Sequence, residues 1–299
     1  MIRIKIPATS ANLGPGFDCL GLALQLHNTI TIEPNRPFRI TLDGSYRDGI
    51  PADESNLVWQ TMCHLWGLLD YPIPSVALTF ENHIPPARGL GSSSAAIVGG
   101  LVAANILAGS PYSKVDLLQV ANALEGHPDN VTPALYGGVT LSVPTKKGII
   151  PRVLAQSPNL KAVVVIPDTL LNTEKARGIL PSHVSRKDAV FNISHVGLLI
   201  EAFIREDYAL LKEGMCDVLH QNQRAILLPG LLETIESALN AGAYGAALSG
   251  SGPTLIALMN ETSLEQVSQS MITKLEQYGV TAQAIVLEID SCGATSSIT

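Results

Sequence analysis

The first residues, MIRIKIP, alternate isoleucine with a basic residue, the period-two signature of a strand with one buried face. Apolar and polar positions continue in short segments that predict strands near residues 2–6, 28–33, 38–42 and 75–81 and helices near 55–68, 93–108 and 113–125. A further strand is expected in GGVTLSV, residues 137–143. This is a mixed α+β unit. The next stretch, TKKGIIPRVLAQSPNL, is polar, holds two prolines and has no period, so the expected division lies near 150–160, with domains at 1–155 and 156–299. In the second half KAVVVIP reads as a strand and several helices follow. AAL and TLIAL flank a tight SGSGP turn, residues 263–278 have a helical period, and TAQAIVLEI closes as a strand. Strand, helices, strand, strand, helix, strand is the split βαβ, ferredoxin-like order.

Composition narrows the function classes. A chain of 299 residues, 46% hydrophobic, can bury a large core and fill about two domains. The net charge of −7, with 19 Lys plus Arg and no basic run, argues against nucleic acid or an anionic membrane surface and for a small ligand. The longest low-polarity run, AAIVGGLVAANILAG, is shorter than the ~20 residues of a membrane span and reads as a buried helix. Cysteines at 19, 63, 216 and 292 form no CxxC pair and no metal spacing, and the amino terminus does not have the form of a signal peptide. A reduced, cytoplasmic protein is the expectation.

Candidate chemistry gathers in three places. SANLGPGFDCLG, residues 10–21, sets Asn12 and Asp18 in a glycine-rich loop. It fails the dinucleotide fingerprint, because Cys19 stands where a third glycine or alanine is needed. PPARGLGSSSAAIVGG, residues 85–100, runs from a glycine and serine loop straight into a helix of small residues. Such a junction aims backbone N–H groups and the positive helix end at one spot, a ready anion site. It has no Walker A lysine, so the balancing positive charge is expected from a magnesium ion; the plainer alternative is an N-capped core helix. SKVDLLQVANALE opens on a capping box, Ser113 with Asp116, and carries an apolar stripe that Glu125 continues onto the face expected to be buried. A carboxylate there, at the helix end where the dipole disfavours it, wants a cation unless the last turn frays into water. Glu125 with Ser92 or Ser93 would suit magnesium. HPDNVTPALYGG then crowds His127, Asp129 and Asn130 into one bend, although Asp129 alone would pass for an N-cap.

Taken together, SANLGPGFDCLGLAL, PPARGLGSSSAA, ALEGHPDNVTPALYGG and GAALSGSGPTLIAL resemble, in order and across nearly the whole chain, the three motifs of the GHMP small-molecule kinases. The resemblance implies an amino-terminal domain like that of ribosomal protein S5, a carboxy-terminal ferredoxin-like domain, ATP with Mg2+ in the cleft, and commonly a homodimer. It implies phosphorylation of the side-chain hydroxyl of the amino acid L-homoserine, a step of threonine biosynthesis. Kinases of another small alcohol such as mevalonate, and a non-catalytic sensor on the same fold, are the alternatives.

The resemblance gives Pro86, Ala87, Arg88, Gly89, Leu90, Gly91, Ser92, Ser93 and Ser94 to the ATP phosphates, and Ser93 with Glu125 to magnesium. It gives Asn12, Asp18, His127, Asn130, Arg177, His195 and Arg224 to the amino-acid substrate, and Thr173 to a substrate or phosphate contact. A zwitterion needs one anion and fixed cations around it, a set that Asp18, Arg177 and Arg224 supply. His195 also lies beside Phe191 and Leu198 on an apolar helix side, where a core histidine is equally expected. Asn130 stands where related kinases carry a catalytic aspartate. Either Asp129 or a water-linked group is then the base, or the γ-phosphate itself takes the proton, the reading preferred here. The SGSGP turn, Ser249 to Pro253, is expected to close over the phosphate loop from the second domain.

Overall fold

The structure is a computed structural model that describes residues 1–298, except for the side chain of Thr173. The first half comprises strands β1 (Ile2–Ala11), β2 (Leu20–Pro34) and β3 (Arg39–Asp43), helix α1 (Leu57–Leu68) and strand β4 (Val76–Glu81). Helices α2 (Ser92–Leu107), α3 (Lys114–Glu125) and α4 (Pro128–Tyr136) follow, then strands β5 (Val139–Thr145) and β6 (Gly148–Ala155). β7 (Lys161–Pro167) opens the second half. After it come α5 (Thr173–Gly178), α6 (Arg186–Arg205), α7 (Leu211–Gly214), α8 (Gln221–Arg224), α9 (Leu231–Asn240), β8 (Gly245–Leu248), β9 (Leu255–Met259), α10 (Leu264–Gln277), β10 (Ala282–Glu288) and β11 (Thr295–Ile298).

Two sheets result. The first runs β11-β1-β2-β4-β3, with β5 paired to the start of β2 and β6 to β5. Ile4, Ile6, Leu22 and Leu24 of this sheet pack into one core with Met62, Leu65 and Trp66 of α1 and Val98 and Leu101 of α2. The Trp66 indole N–H, buried with them, donates to the Ala104 carbonyl at 3.1 Å, so the ring adds apolar area without leaving a donor unpaired. α1 begins where Asn56 accepts from the Val58 amide, and α3 begins in the expected Ser113–Asp116 capping box and ends at Gly126, φ 87°.

The second sheet is antiparallel in the order β10-β7-β9-β8, the ferredoxin-like order that the segment pattern predicts. Both its faces are covered. Val164 and Ile166 of β7 join the core shared with the first half, while Val163 and Val165 lie under α9 and α10 with Leu231, Met271 and Leu275. That is why β7 reads as an unbroken apolar run and not as an alternation. Each such side chain contributes roughly 1.5–3 kcal/mol of burial.

The structure differs from expectation at three points. β1 and β2 extend well beyond residues 2–6 and 28–33, because PATSA and LGLAL are buried on both faces and carry no period for a strand pattern to register. The polar stretch at which the division was expected holds β6. It is an edge strand bonded to β5 alone that buries Ile149 and packs Leu154 and Ala155 against the core, and its outer edge tolerates Pro151. The chain then returns: residues 289–293 run past Gly137 and Gly138, and β11 pairs with β1, Ile2 opposite Ile298. The last strand of the second half therefore completes the sheet of the first.

Candidate active site

The helix start at α2 is built for an anion. Gly91 is its N-cap, left-handed at φ 70° and without a side chain, so no side-chain oxygen caps the first-turn amides, and the first turn holds no acid. Those amides and the positive helix end face a cavity of about 830 Å3 lined by Ala87 through Ser94. Pro86 is exposed and lies outside that lining. The loop is fixed from the second half. Ser249 donates its hydroxyl to the Gly89 carbonyl at 2.6 Å, and the Thr254 amide donates to the Arg88 carbonyl at 3.3 Å. A Cβ on Gly89, φ 76°, would stand 2.3 Å from the Ser249 carbonyl oxygen, so only glycine fits. Arg88 Nη1 is buried with no hydrogen-bond partner among the described residues, and a buried guanidinium nitrogen of this kind suits an anion in the cavity.

Glu125 comes to the same cavity from the end of α3. Ser94 Oγ donates to its Oε1 at 2.6 Å and Ser93 Oγ to its Oε2 at 3.1 Å. The expected pairing with Ser93 thus forms, and Ser94 joins it. No cluster of three or more His, Cys, Asp or Glu side chains with metal-binding geometry occurs among the described residues. One carboxylate and one hydroxyl beside a phosphate site do fit magnesium, which takes few protein ligands and fills its shell with waters and phosphate oxygens.

Beyond Glu125 the polar side chains form a relay. His127 Nδ1 lies 2.8 Å from Asp129 Oδ1, Asn130 Nδ2 approaches the same oxygen at 3.4 Å, and Thr9 Oγ1 donates to Asn130 Oδ1 at 2.8 Å. Burial pulls the His127 pKa down, but the hydrogen bond and charge of Asp129 outweigh it and leave the imidazole raised above its ordinary value. Thr9 fixes which way the Asn130 amide points. It carries no sequence signal, since it lies in the aperiodic PATSA run.

The far side of the cavity is held by the SANLGPGFD loop. Asn12 accepts the Asp18 amide at 3.0 Å and donates to the Gly250 carbonyl at 3.1 Å, closing the loop on itself and on the second half. Gly14, φ 85°, has no room for a Cβ, which would fall 2.0 Å from the Met215 carbonyl oxygen. Its bareness serves the contact between halves, not an approach to ligand. Arg177 reaches the loop with a bidentate pair to Asp18, Nη2–Oδ1 2.6 Å and Nη1–Oδ2 3.0 Å, and those bonds raise it above its already high pKa. Arg224, 2% exposed, donates to the carbonyls of Gly250 at 2.9 Å and Ala176 at 3.2 Å. Burial, then the neighbouring Arg177 charge, bring it down to about 10.

Asn12, His127, Asp129, Asn130, Arg177 and Arg224 all line the cavity; Asp18 stands behind Arg177. The side chain of Thr173 lies outside the described residues. His195 is not in the lining. It stacks on Phe191 at 3.7 Å, with Nδ1 2.7 Å from the Phe191 carbonyl oxygen, because it sits one turn along α6 on the same side. It stands half-buried on α6, 4.0 Å from Glu213 Oε2. Lys175, in the lining, and His220, beside Arg224, were not singled out in the sequence, although the four-residue spacing in HQNQR pointed at the second.

Residues 56–138 match the family described as GHMP kinases N terminal domain, and residues 199–277 match GHMP kinases C terminal. The chain is 58% identical to the homoserine kinase of Desulfitobacterium hafniense over 98% of its own length and 99% of the relative's. It is 43% identical to the homoserine kinase of Microchaete diplosiphon over 99% and 97%. The crystal structure of the homoserine kinase of Cytophaga hutchinsonii superposes with a TM-score of 0.87 at 30% identity, covering 99% of this chain and 97% of that one.

Proposed function

The chain belongs to the GHMP kinase family, and from that premise we propose how its cleft divides the labour of transferring the γ-phosphoryl group of ATP to the side-chain hydroxyl of L-homoserine, giving O-phospho-L-homoserine for threonine biosynthesis. The observation that carries the reading is a single cavity with an uncapped helix start at one end and two arginines at the other. The α2 amides and Arg88 hold the phosphates. Glu125 and Ser93 would hold a magnesium ion, whose charge would offset that of the transferring group.

Arg177 and Arg224 take the substrate carboxylate. Asp18 turns from Arg177 to share its charge with the ammonium, and His127 and Asn12 complete the wall. Thr173 contacts substrate or phosphate. Asn130, oriented by Thr9, holds the hydroxyl in line. Its amide cannot accept a proton, and Asp129 Oδ1 is already engaged by His127 and Asn130, so the proton goes to the γ-phosphate and catalysis rests on positioning and charge. Residues 1–155 form the ATP-binding domain and 156–299 the ferredoxin-like one, with β11 lent back to the first. The reading has the protein working in the cytoplasm as a homodimer, a state that light scattering would test.

The deciding experiment is ADP release with magnesium and ATP, offering L-homoserine, L-serine, L-threonine and mevalonate in parallel. Strong preference for homoserine is expected. Preference for mevalonate would keep the phosphate site and overturn the amino-acid pocket; no turnover with any of them would favour a sensor.

A further inference from the structure

His220 is fully buried, yet it touches both sides of the substrate site. Its Nε2 lies 2.8 Å from the Gly14 carbonyl oxygen in the SANLGPGFD loop, and its Nδ1 lies 3.3 Å from Arg224 Nη1. A carbonyl can only accept and a guanidinium can only donate, so both contacts are made by one tautomer, neutral imidazole with its proton on Nε2. The Phe17 ring leans on the imidazole at 5.3 Å, and the guanidinium carbons of Arg177 and Arg224 each stand 5.5 Å from the centre of that ring.

Asp217, the nearest carboxylate, is occupied. Its Oδ2 accepts the amides of His220 at 2.9 Å and Gln221 at 2.8 Å, and its Oδ1 accepts the Leu219 amide at 3.0 Å and Asn192 Nδ2 at 2.7 Å. It therefore anchors the start of α8; its Oδ2 also lies 3.6 Å from His220 Nε2, beyond hydrogen-bond length, while the Gly14 carbonyl oxygen takes that nitrogen at 2.8 Å. Among the described residues Arg224 makes no ion pair: two carbonyls and His220 are the acceptors that hold it.

We propose that His220 is a positioning residue for amino-acid recognition, a neutral imidazole that locks the Arg224 guanidinium to the loop carrying Asp18, so that the clamp for the carboxylate and the counter-charge for the ammonium sit at a fixed separation. The inference rests on the reading of Arg224 as the carboxylate clamp. Every α-amino acid presents its ammonium and carboxylate at the same separation, so the imidazole serves affinity for the amino-acid end, and discrimination against compounds that lack that end, without touching the substrate.

The test is steady-state kinetics on the full chain. His220→Leu keeps the volume and removes both contacts; it is expected to raise KM for homoserine about tenfold or more, with KM for ATP changed by less than about threefold. His220→Asn offers an acceptor near the Nδ1 position and is expected to recover part of that loss. Equal shifts in both KM values, or no shift in either, would overturn the proposal. Arg224→Leu run alongside separates the two ideas: if it leaves KM for homoserine unchanged the clamp reading itself fails, and if it raises that KM while His220→Leu does not, only the role of His220 fails. Should His220→Leu not fold, nitrogen-15 NMR of the ligand-free protein decides. A ring protonated at Nε2 alone that does not titrate between about pH 5.5 and 8.5 is expected, and an Nδ1–H or charged ring would overturn the assignment.

Discussion

Asp18 and Arg177 satisfy one another, and the pair is about one third exposed, so opening it costs little. In the proposed function a zwitterion would exchange partners with this pair, leaving no charge alone. Asp18→Asn should then raise KM for homoserine with little change in KM for ATP; an unchanged value for homoserine would leave Asp18 as support for Arg177 alone. Glu125→Ala is expected to lower kcat by about a hundredfold or more at any magnesium concentration, as removal of transition-state charge stabilisation does, and a circular dichroism spectrum like that of the parent would show that the loss is chemical. Arg224→Leu should raise KM for homoserine about thirtyfold, the equivalent of roughly 2 kcal/mol. Glu125 was legible because a carboxylate on an apolar stripe is a local contradiction. Thr9 was not, because its partner Asn130 lies more than a hundred residues away in the chain and nothing in its own neighbourhood is out of pattern; His220 had only its four-residue spacing from Arg224, since its contact with the Gly14 carbonyl spans more than two hundred residues.

Among the elements, the phosphate loop and the SGSGP turn act as one piece, since Ser249 bonds the Gly89 carbonyl and lies 2.8 Å from Ser10 Oγ of β1. Gly89→Ala must push the turn away. The expectation is a loss of roughly 1–3 kcal/mol in stability, together with a KM for ATP that rises more than that for homoserine; thermal melts and kinetics on one preparation check both. The loop itself was plain in the sequence, because glycine and serine running into a small-residue helix has few other uses. What bolts the loop down was legible only through the family resemblance, which set the SGSGP turn over it, because a tight turn between two strands looks the same whether or not a second loop rests on it. β6 was hidden for another reason: only Ile149 of its eight residues is buried, so its side chains show no period-two pattern.

At the scale of the whole molecule, the returning segment is anchored by Asp290. Its Oδ2 meets His27 Nε2 at 2.7 Å, and its Oδ1 accepts the amides of Cys292 at 2.9 Å and Gly293 at 2.7 Å. Burial alone would raise its pKa, but these bonds together bring it below the ordinary carboxylate value. A depressed folded pKa contributes stability above the unfolded value near 4, and that contribution is lost as the pH falls through the folded one. Asp290→Asn should therefore lower Tm at neutral pH by the equivalent of roughly 1.5–3 kcal/mol, and the gap to the parent should close in acid; a gap independent of pH would count against the charge. The mixed α+β plan and the ferredoxin-like order were readable from segment spacing, whereas this return was not, since β11 is four exposed, mostly polar residues. The return also bears on how the protein is made. A chain leaving the ribosome can shape its first half early and pair β1 with β2, yet the other edge of β1 stays open until residues 295–298 emerge, so the sheet of the first half is completed only after the second half has been made.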